Sequence, residues 1–172
     1  MNLIDTHAHI YQEDFLADIE AIMSRAKENG VSKIYLPNVD VSSIKEVKDL
    51  VAKNSDLFIP MMGLHPCYVK EDYKEQLAGI EKELCEGKYA AVGEVGIDLH
   101  WDKTHFIQQQ DAFRTQIRWA IKLKLPIIIH ARESLQEIFQ ILDEEYRDGL
   151  KGIFHCFGGT AEDAQKIISY GF

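Results

Sequence analysis

Histidines and carboxylates able to share a metal ion recur along this chain at the ends of apolar runs. The first are His7 and His9, in Asp5-Thr6-His7-Ala8-His9, which closes a short apolar run starting at Leu3. Alternate residues of an extended segment face one side, so two imidazoles project together and supply half of a metal site. A polar strand end with no ligand role would carry the same pair, so the decision rests on what recurs elsewhere. Glu94 lies in Gly93-Glu94-Val95-Gly96-Ile97-Asp98, His130 ends Pro126-Ile127-Ile128-Ile129-His130, and His155 sits in Gly152-Ile153-Phe154-His155-Cys156-Phe157. Neutral imidazoles with a carboxylate suit zinc, manganese, iron or nickel, whereas an oxygen-only shell suits magnesium better.

The apolar runs read as strands, and longer amphipathic stretches separate them. After the first strand, Phe15, Ile19, Ile22, Met23 and Ala26 recur at helical spacing, and Asn29-Gly30 supplies the stop. Residues 33–37 predict a second strand, Ser42 or Ser43 caps the next helix, and 57–63 predict a third strand. A helix through Leu77, Ile80 and Leu84 leads to a fourth strand at 89–95, and a long helix runs from about His105 to Leu125. Strands at 126–130 and 152–157 follow, with helices starting at Ser134 and Thr160. Strict alternation of six strand–helix units implies right-handed crossovers in a parallel sheet. No Gly-x-Gly-x-x-Gly phosphate loop follows the first strand, because His-Ala-His stands there instead. An open sheet would spread strands one and six apart, whereas a closed barrel brings the strand ends to one mouth. The expected fold is therefore an α/β TIM-type (β/α)8 barrel, of which this chain supplies about the first six units.

Composition bounds the function classes. A chain of 172 residues, 46% of them hydrophobic, fits one ordinary globular domain. Lys plus Arg number 19 against 28 Asp plus Glu, and a net charge of -9 argues against holding nucleic acid by a basic face alone. Cys67, Cys85 and Cys156 are odd in number, widely spaced and without Cys-x-x-Cys, which excludes a disulfide framework or zinc ribbon and points to a reducing compartment. Asp5, His7 and His9 interrupt the N-terminal apolar run before a signal-peptide core forms, and no stretch approaches membrane-spanning length. The expected location is cytoplasmic, with no membrane partner.

Asp-Thr-His-Ala-His, Gly-Glu-Val-Gly-Ile-Asp, Pro-Ile-Ile-Ile-His-Ala-Arg and Phe-His-Cys-Phe-Gly-Gly, in this order and at these separations, resemble the TatD family of metal-dependent deoxyribonucleases and related hydrolases, within the amidohydrolase-type barrels. The likeness runs from residue 3 to the end and includes Gly63-Leu64-His65-Pro66. The resemblance implies two divalent metal ions: His7 and His9 on the first, Glu94 bridging, and His130 and His155 on the second, with zinc, manganese and magnesium as candidates. It also implies hydrolysis of phosphodiester bonds in DNA or an oligonucleotide, exonucleolytically, by a metal-activated water. Gly158 stands where the family usually has Ser or Thr. The family's aspartate after an eighth strand has no counterpart in residues 1–172. A single hydrolase domain incomplete at its C-terminus is thus expected, with self-association through open barrel edges.

Glu94 is the candidate catalytic residue, and His65, Asp98 and Arg132 are the candidate substrate contacts. His65 follows the third strand and can meet a phosphate or hydrogen-bond within its loop. Arg132 can clamp a phosphate oxygen or pair with Glu133, and Asp98 can orient ligands or substrate. Trp101 can stack on a base or pack in its loop. Cys156 neighbours His155 on a strand and is expected behind it. His100 and His105 are expected at the surface, and Gln108, Gln109 and Gln110 on a solvated helix start. Two further function classes stand beside the nuclease: a small-molecule amidohydrolase or phosphoesterase of the same fold, and a non-catalytic chain that binds metal or partners.

Overall fold

The computed structural model describes residues 2–172. Its elements run β1 (Leu3–Asp5), α1 (Glu13–Leu16), α2 (Ile19–Glu28), β2 (Val31–Pro37), α3 (Ile44–Lys53), β3 (Phe58–Met61), α4 (Tyr73–Glu86), β4 (Val92–Asp98), α5 (Phe106–Leu123), β5 (Ile127–Arg132), α6 (Leu135–Glu145), β6 (Gly152–His155) and α7 (Ala161–Ser169). All strand pairs are parallel, in the orders β1-β2-β3 and β4-β5-β6, and a bridge from Met62 to Val92 joins the two sheets. Strands therefore follow chain order around an arc, as in the wall of a TIM-type barrel.

Alternation along the strands sorts two faces. Ile127 and Ile129 of β5 pack outward with Phe113 and Ile117 of α5 and Ile138 and Leu142 of α6, while Ile128 turns inward to Met61 and Ala91. Similarly, Ile34 and Leu36 of β2 face helix residues Ile19, Val47 and Leu50, and Tyr35 faces inward. Full burial of each such aliphatic or aromatic side chain is worth about 1.5–3 kcal/mol. β4 departs from strict alternation. Val92, Val95 and Ile97 all lie in the helix-side core, and the pairing with β5 shifts register between Val92 and Val95. That shift leaves Glu94, Gly96 and Asp98 on the inward face.

Several elements differ from expectation. The first helix is broken, because the backbone leaves helical geometry at Asp18 (φ -107°, ψ 9°); Ile19 is then buried while Phe15 and Leu16 stay exposed. Asp40, not Ser42 or Ser43, makes the cap before α3: its Oδ1 accepts the Ser43 N–H at 3.0 Å, and Ser43 Oγ accepts the Asp40 N–H at 3.2 Å. β4 runs later than expected, since Tyr89 is drawn off to Glu83 at 2.9 Å, so Glu94 lies inside the strand rather than at its end. β6 stops at His155, because Cys156 has φ 50°.

Gly96 pairs with His130 and has φ +139°, and a Cβ there would strike the His130 carbonyl oxygen. Gly149 also has positive φ (+93°) but faces open space. Gly96→Ala is expected to cost about 3 kcal/mol or more of stability in urea unfolding, whereas Gly149→Ala should cost only the backbone term of about 1–2 kcal/mol. Equal effects would show that the β4–β5 contact at Gly96 is not tight.

Candidate metal centre

Glu94, 2% exposed on the inward face of β4, is where the ends of the other strands meet. Its Oε2 lies 3.0 Å from His7 Nε2, 3.7 Å from His9 Nε2 and 3.7 Å from His65 Nε2, and its Oε1 lies 3.1 Å from His130 Nδ1. His7 and His9 stand beyond β1, so strand alternation is not what pairs them. Asp5 Oδ1 accepts the His7 N–H at 3.1 Å, and past this turn the two Nε2 atoms lie 3.2 Å apart. The His155 ring, from the end of β6, stacks on His7 at 3.6 Å between centroids and 11° between planes. This contact joins the ends of β1 and β6, which are not neighbours in either sheet. All five residues read from the sequence as metal ligands are thus gathered at one mouth.

Several polar side chains position them. Tyr11 Oη donates to Pro37 O at 2.8 Å and lies 3.0 Å from His9 Nδ1, which fixes that ring. Asp98, expected to orient ligands or substrate, is 1% exposed and holds His130 Nε2 at 2.8 Å. Its other oxygen accepts the backbone N–H groups of His100 (2.9 Å) and Trp101 (3.0 Å). Gln109, expected in solvent, is buried and accepts the Asp98 N–H at 2.9 Å. Gln116 does the same for the His65 loop, accepting from Leu64 N at 2.7 Å and donating to Leu64 O at 3.2 Å. Asn38 Oδ1 accepts the Gly63 N–H at 2.6 Å. Sequence reading missed Tyr11, Asn38, Gln109 and Gln116. A signal existed for the glutamines, which share the apolar face of α5 with Ala112, Phe113, Ile117 and Ala120.

The mouth opens into a cleft of about 990 Å³, with His7, His9, His65, Glu94, His130 and His155 lining it together with Arg132, Glu133, Glu137 and Cys156. Arg132 lies over the exposed Trp101 ring at 5.4 Å rather than on Glu133, which pairs with His100 at 2.7 Å. Cys156 is exposed in the cleft, not packed behind a strand, because the strand has already ended. His105 is half-buried, 3.6 Å from Glu71.

Burial alone would raise the Glu94 carboxyl, but hydrogen bonds from His130, His7 and His9 outweigh it and hold the group ionised, far below the usual carboxylate range. Burial would likewise lower His130, yet its bonds to Glu94 and Asp98 raise it. Burial pushes His65 down to about 4 and, with His7 beside it, lowers His155. His7 Nδ1 is buried without a hydrogen-bond partner. Donor atoms of His7, His9 and Glu94 lie within 4.8 Å of one another. Two imidazole nitrogens facing each other across one ionised carboxylate fit a divalent cation.

A parallel barrel wall with imidazoles and a carboxylate at its mouth is the layout of a metal-dependent hydrolase. The family model for TatD related DNases matches residues 4–172, and the chain belongs to that family. It is 36% identical over 170 residues to the uncharacterized metal-dependent hydrolase YabD of Bacillus subtilis, covering 99% of this chain and 66% of the relative. It is 32% identical over 169 residues to the deoxyribonuclease Tat-D of Schizosaccharomyces pombe, covering 90% of this chain and 53% of that one. The crystal structure of YJJV, a TatD homologue from Escherichia coli, superposes with a TM-score of 0.88 at 30% identity, covering 98% of this chain and 65% of that one. The chain thus spans between half and two-thirds of the length of these proteins. No helix among the described residues is long and apolar enough to cross a membrane.

Asp98→Asn keeps an acceptor for the two backbone N–H groups but sets an amide against His130 Nε2. Divalent-metal affinity measured by titration calorimetry should fall about 10–100-fold, and an unchanged affinity would remove Asp98 from the support of His130. His65 titrates near 6.5 when unfolded and about 4 when folded, so between these values the unfolded chain binds the extra proton. Its contribution to stability is present above pH 6.5 and is lost as pH falls toward 4, by up to about 3 kcal/mol. In urea unfolding of the metal-free chain, His65→Asn should flatten that acid limb; identical limbs would contradict the buried neutral imidazole.

Proposed function

We propose that this chain carries the divalent-cation site of a nucleic-acid phosphodiesterase, which cleaves DNA phosphodiester bonds with water and removes residues from an end. The supporting observation is the convergence of His7, His9, His65 and His130 on the buried Glu94 at the floor of an open cleft. On this reading His7, His9 and Glu94 hold one ion, and Glu94, His130 and His155 a second, with zinc, manganese and magnesium as candidates. Bound there, such ions lower the pKa of water toward neutrality and offset charge on the attacking and leaving oxygens of a phosphodiester.

The chain's own groups supply the rest. Ionised Glu94 keeps the floor anionic, so a phosphate enters only once cations balance it. Neutral His65 presents a ring nitrogen that can donate to a phosphate oxygen. Arg132 on the cleft wall can take a phosphate oxygen in bidentate fashion, and exposed Trp101 beneath it offers a face for a base. At a net charge of -9, affinity must come from these groups rather than from a basic surface. The name of the fission-yeast relative supports DNA as the substrate class. A second reading, hydrolysis of a small phosphoester or cyclic amide, is favoured by Glu133 and Glu137 on the same cleft, which repel a polyanion.

The chain supplied with manganese or magnesium should shorten end-labelled single-stranded DNA in a stepwise ladder. Chelation should abolish the activity, and Glu94→Gln should lower it by more than about 100-fold, beyond what loss of a supporting partner costs. Intact DNA alongside cleavage of a small phosphodiester would move the assignment to the second reading, and internal cuts without a ladder would remove the end-first mode.

A further inference from the structure

Among the described residues a second group of donors adjoins His7, His9 and Glu94: ligand atoms of His65, Cys67 and His130 lie within 4.8 Å of one another, and both histidines also face Glu94. His65 and Cys67 are held together where the loop after β3 enters the 3-10 turn Pro66–Tyr68, with the Cys67 N–H donating to His65 Nδ1 at 3.2 Å. The Cys67 thiol lies beside the Asp98 carboxylate, and Asp98 receives His130 Nε2 at 2.8 Å. Asp98, with Cys67 beside it, therefore sits on the Nε2 side of His130 and Glu94 on the Nδ1 side, while His65 also reaches Glu94, with its Nε2 3.7 Å from Oε2.

We propose that His65, Cys67 and His130, with Asp98 beside them, form a separate cation site, alternative to the ion at Glu94, His130 and His155 and selective for thiophilic divalent ions such as zinc. A thiolate and two imidazoles, with a carboxylate in reach, are the donor set of tetrahedral zinc, and the sulfur discriminates against magnesium and manganese. On binding, the thiol proton passes to solvent as the sulfur–metal bond forms. A neutral imidazole has one lone pair, so His65 coordinates only by giving up the Cys67 N–H bond at Nδ1. If Nε2 of His130 gives its lone pair to an ion here, the ring proton must sit on Nδ1 and point at Glu94 Oε1. His130 is then withdrawn from any ion at Glu94, so excess zinc opposes loading of the main centre. That antagonism, though not the site itself, rests on the function proposed above.

Cobalt(II) titration of the full chain tests the site, since cobalt bound by sulfur shows an intense near-ultraviolet charge-transfer band that nitrogen and oxygen ligands do not give. The band should appear in the parent chain and in Cys85→Ser and Cys156→Ser, and vanish in Cys67→Ser. It should persist in His7→Ala, which disables the other centre, so failure of the nuclease reading and failure of this site are separately visible. No band in the parent, a band surviving Cys67→Ser, or loss only in Cys156→Ser overturns the proposal. Should Cys67→Ser not fold, alkylation of the parent chain read by peptide mass spectrometry decides: zinc should slow modification of Cys67 at least about tenfold relative to Cys85, the ratio that a site held near 90% occupied gives. Equal slowing overturns the proposal.

Discussion

An ionised carboxylate inside a barrel costs several kcal/mol unless opposite charge or hydrogen bonds compensate it, and Glu94 sets that condition for this chain. Its neighbours answer with imidazoles from four places: the segment after β1, the loop after β3, the end of β5 and, through the His7 stack, the end of β6. The barrel curvature follows, because β1 and β6 must come close enough for two histidine rings to touch. Without a divalent cation the cluster carries one carboxylate among rings that repel one another when protonated, which is why burial and neighbouring histidines push His65 and His155 down while the paired His130 goes up.

Rigidity comes from buried polar groups around the site. Gln109 fixes the strand end at Asp98, Asp98 fixes His130, and Gln116 with Asn38 fixes the loop that delivers His65. Each of these side chains satisfies backbone groups that would otherwise be buried unpaired, so the site is held by the same bonds that complete the fold. Sites supported in this way tolerate little displacement, because moving one strand end by an ångström breaks bonds in a low-dielectric interior.

Much of this was legible in the sequence. Continuous apolar runs such as 126–130 and periodic stretches such as Phe113, Ile117 and Ala120 identify strands and helices, and the five candidate metal ligands stand out by type and by place in the alternation. What escaped has physical causes. The register shift before Val95 sets Glu94, Gly96 and Asp98 on the inward face of β4, and periodicity of two residues cannot reveal a bulge. Strand alternation places Cys156 behind His155, whereas the chain turns at Cys156. Gln109 looks solvent-facing by residue type, and only the tertiary contact between α5 and the end of β4 buries it.

The most direct test of Glu94 as a cation-binding hub is the manganese retained by the chain after gel filtration, measured by elemental mass spectrometry beside a His7→Ala, His9→Ala variant. Manganese is a hard ion with little affinity for thiolate, so it reports the imidazole–carboxylate centre rather than the cysteine cluster. Retention in at least stoichiometric amount by the parent chain, and its loss from the variant, is the expected result. A parent chain that retains none at neutral pH, or a variant that retains as much, would mean that the gathered histidines neutralise Glu94 for structural reasons and that the centre is not a metal site.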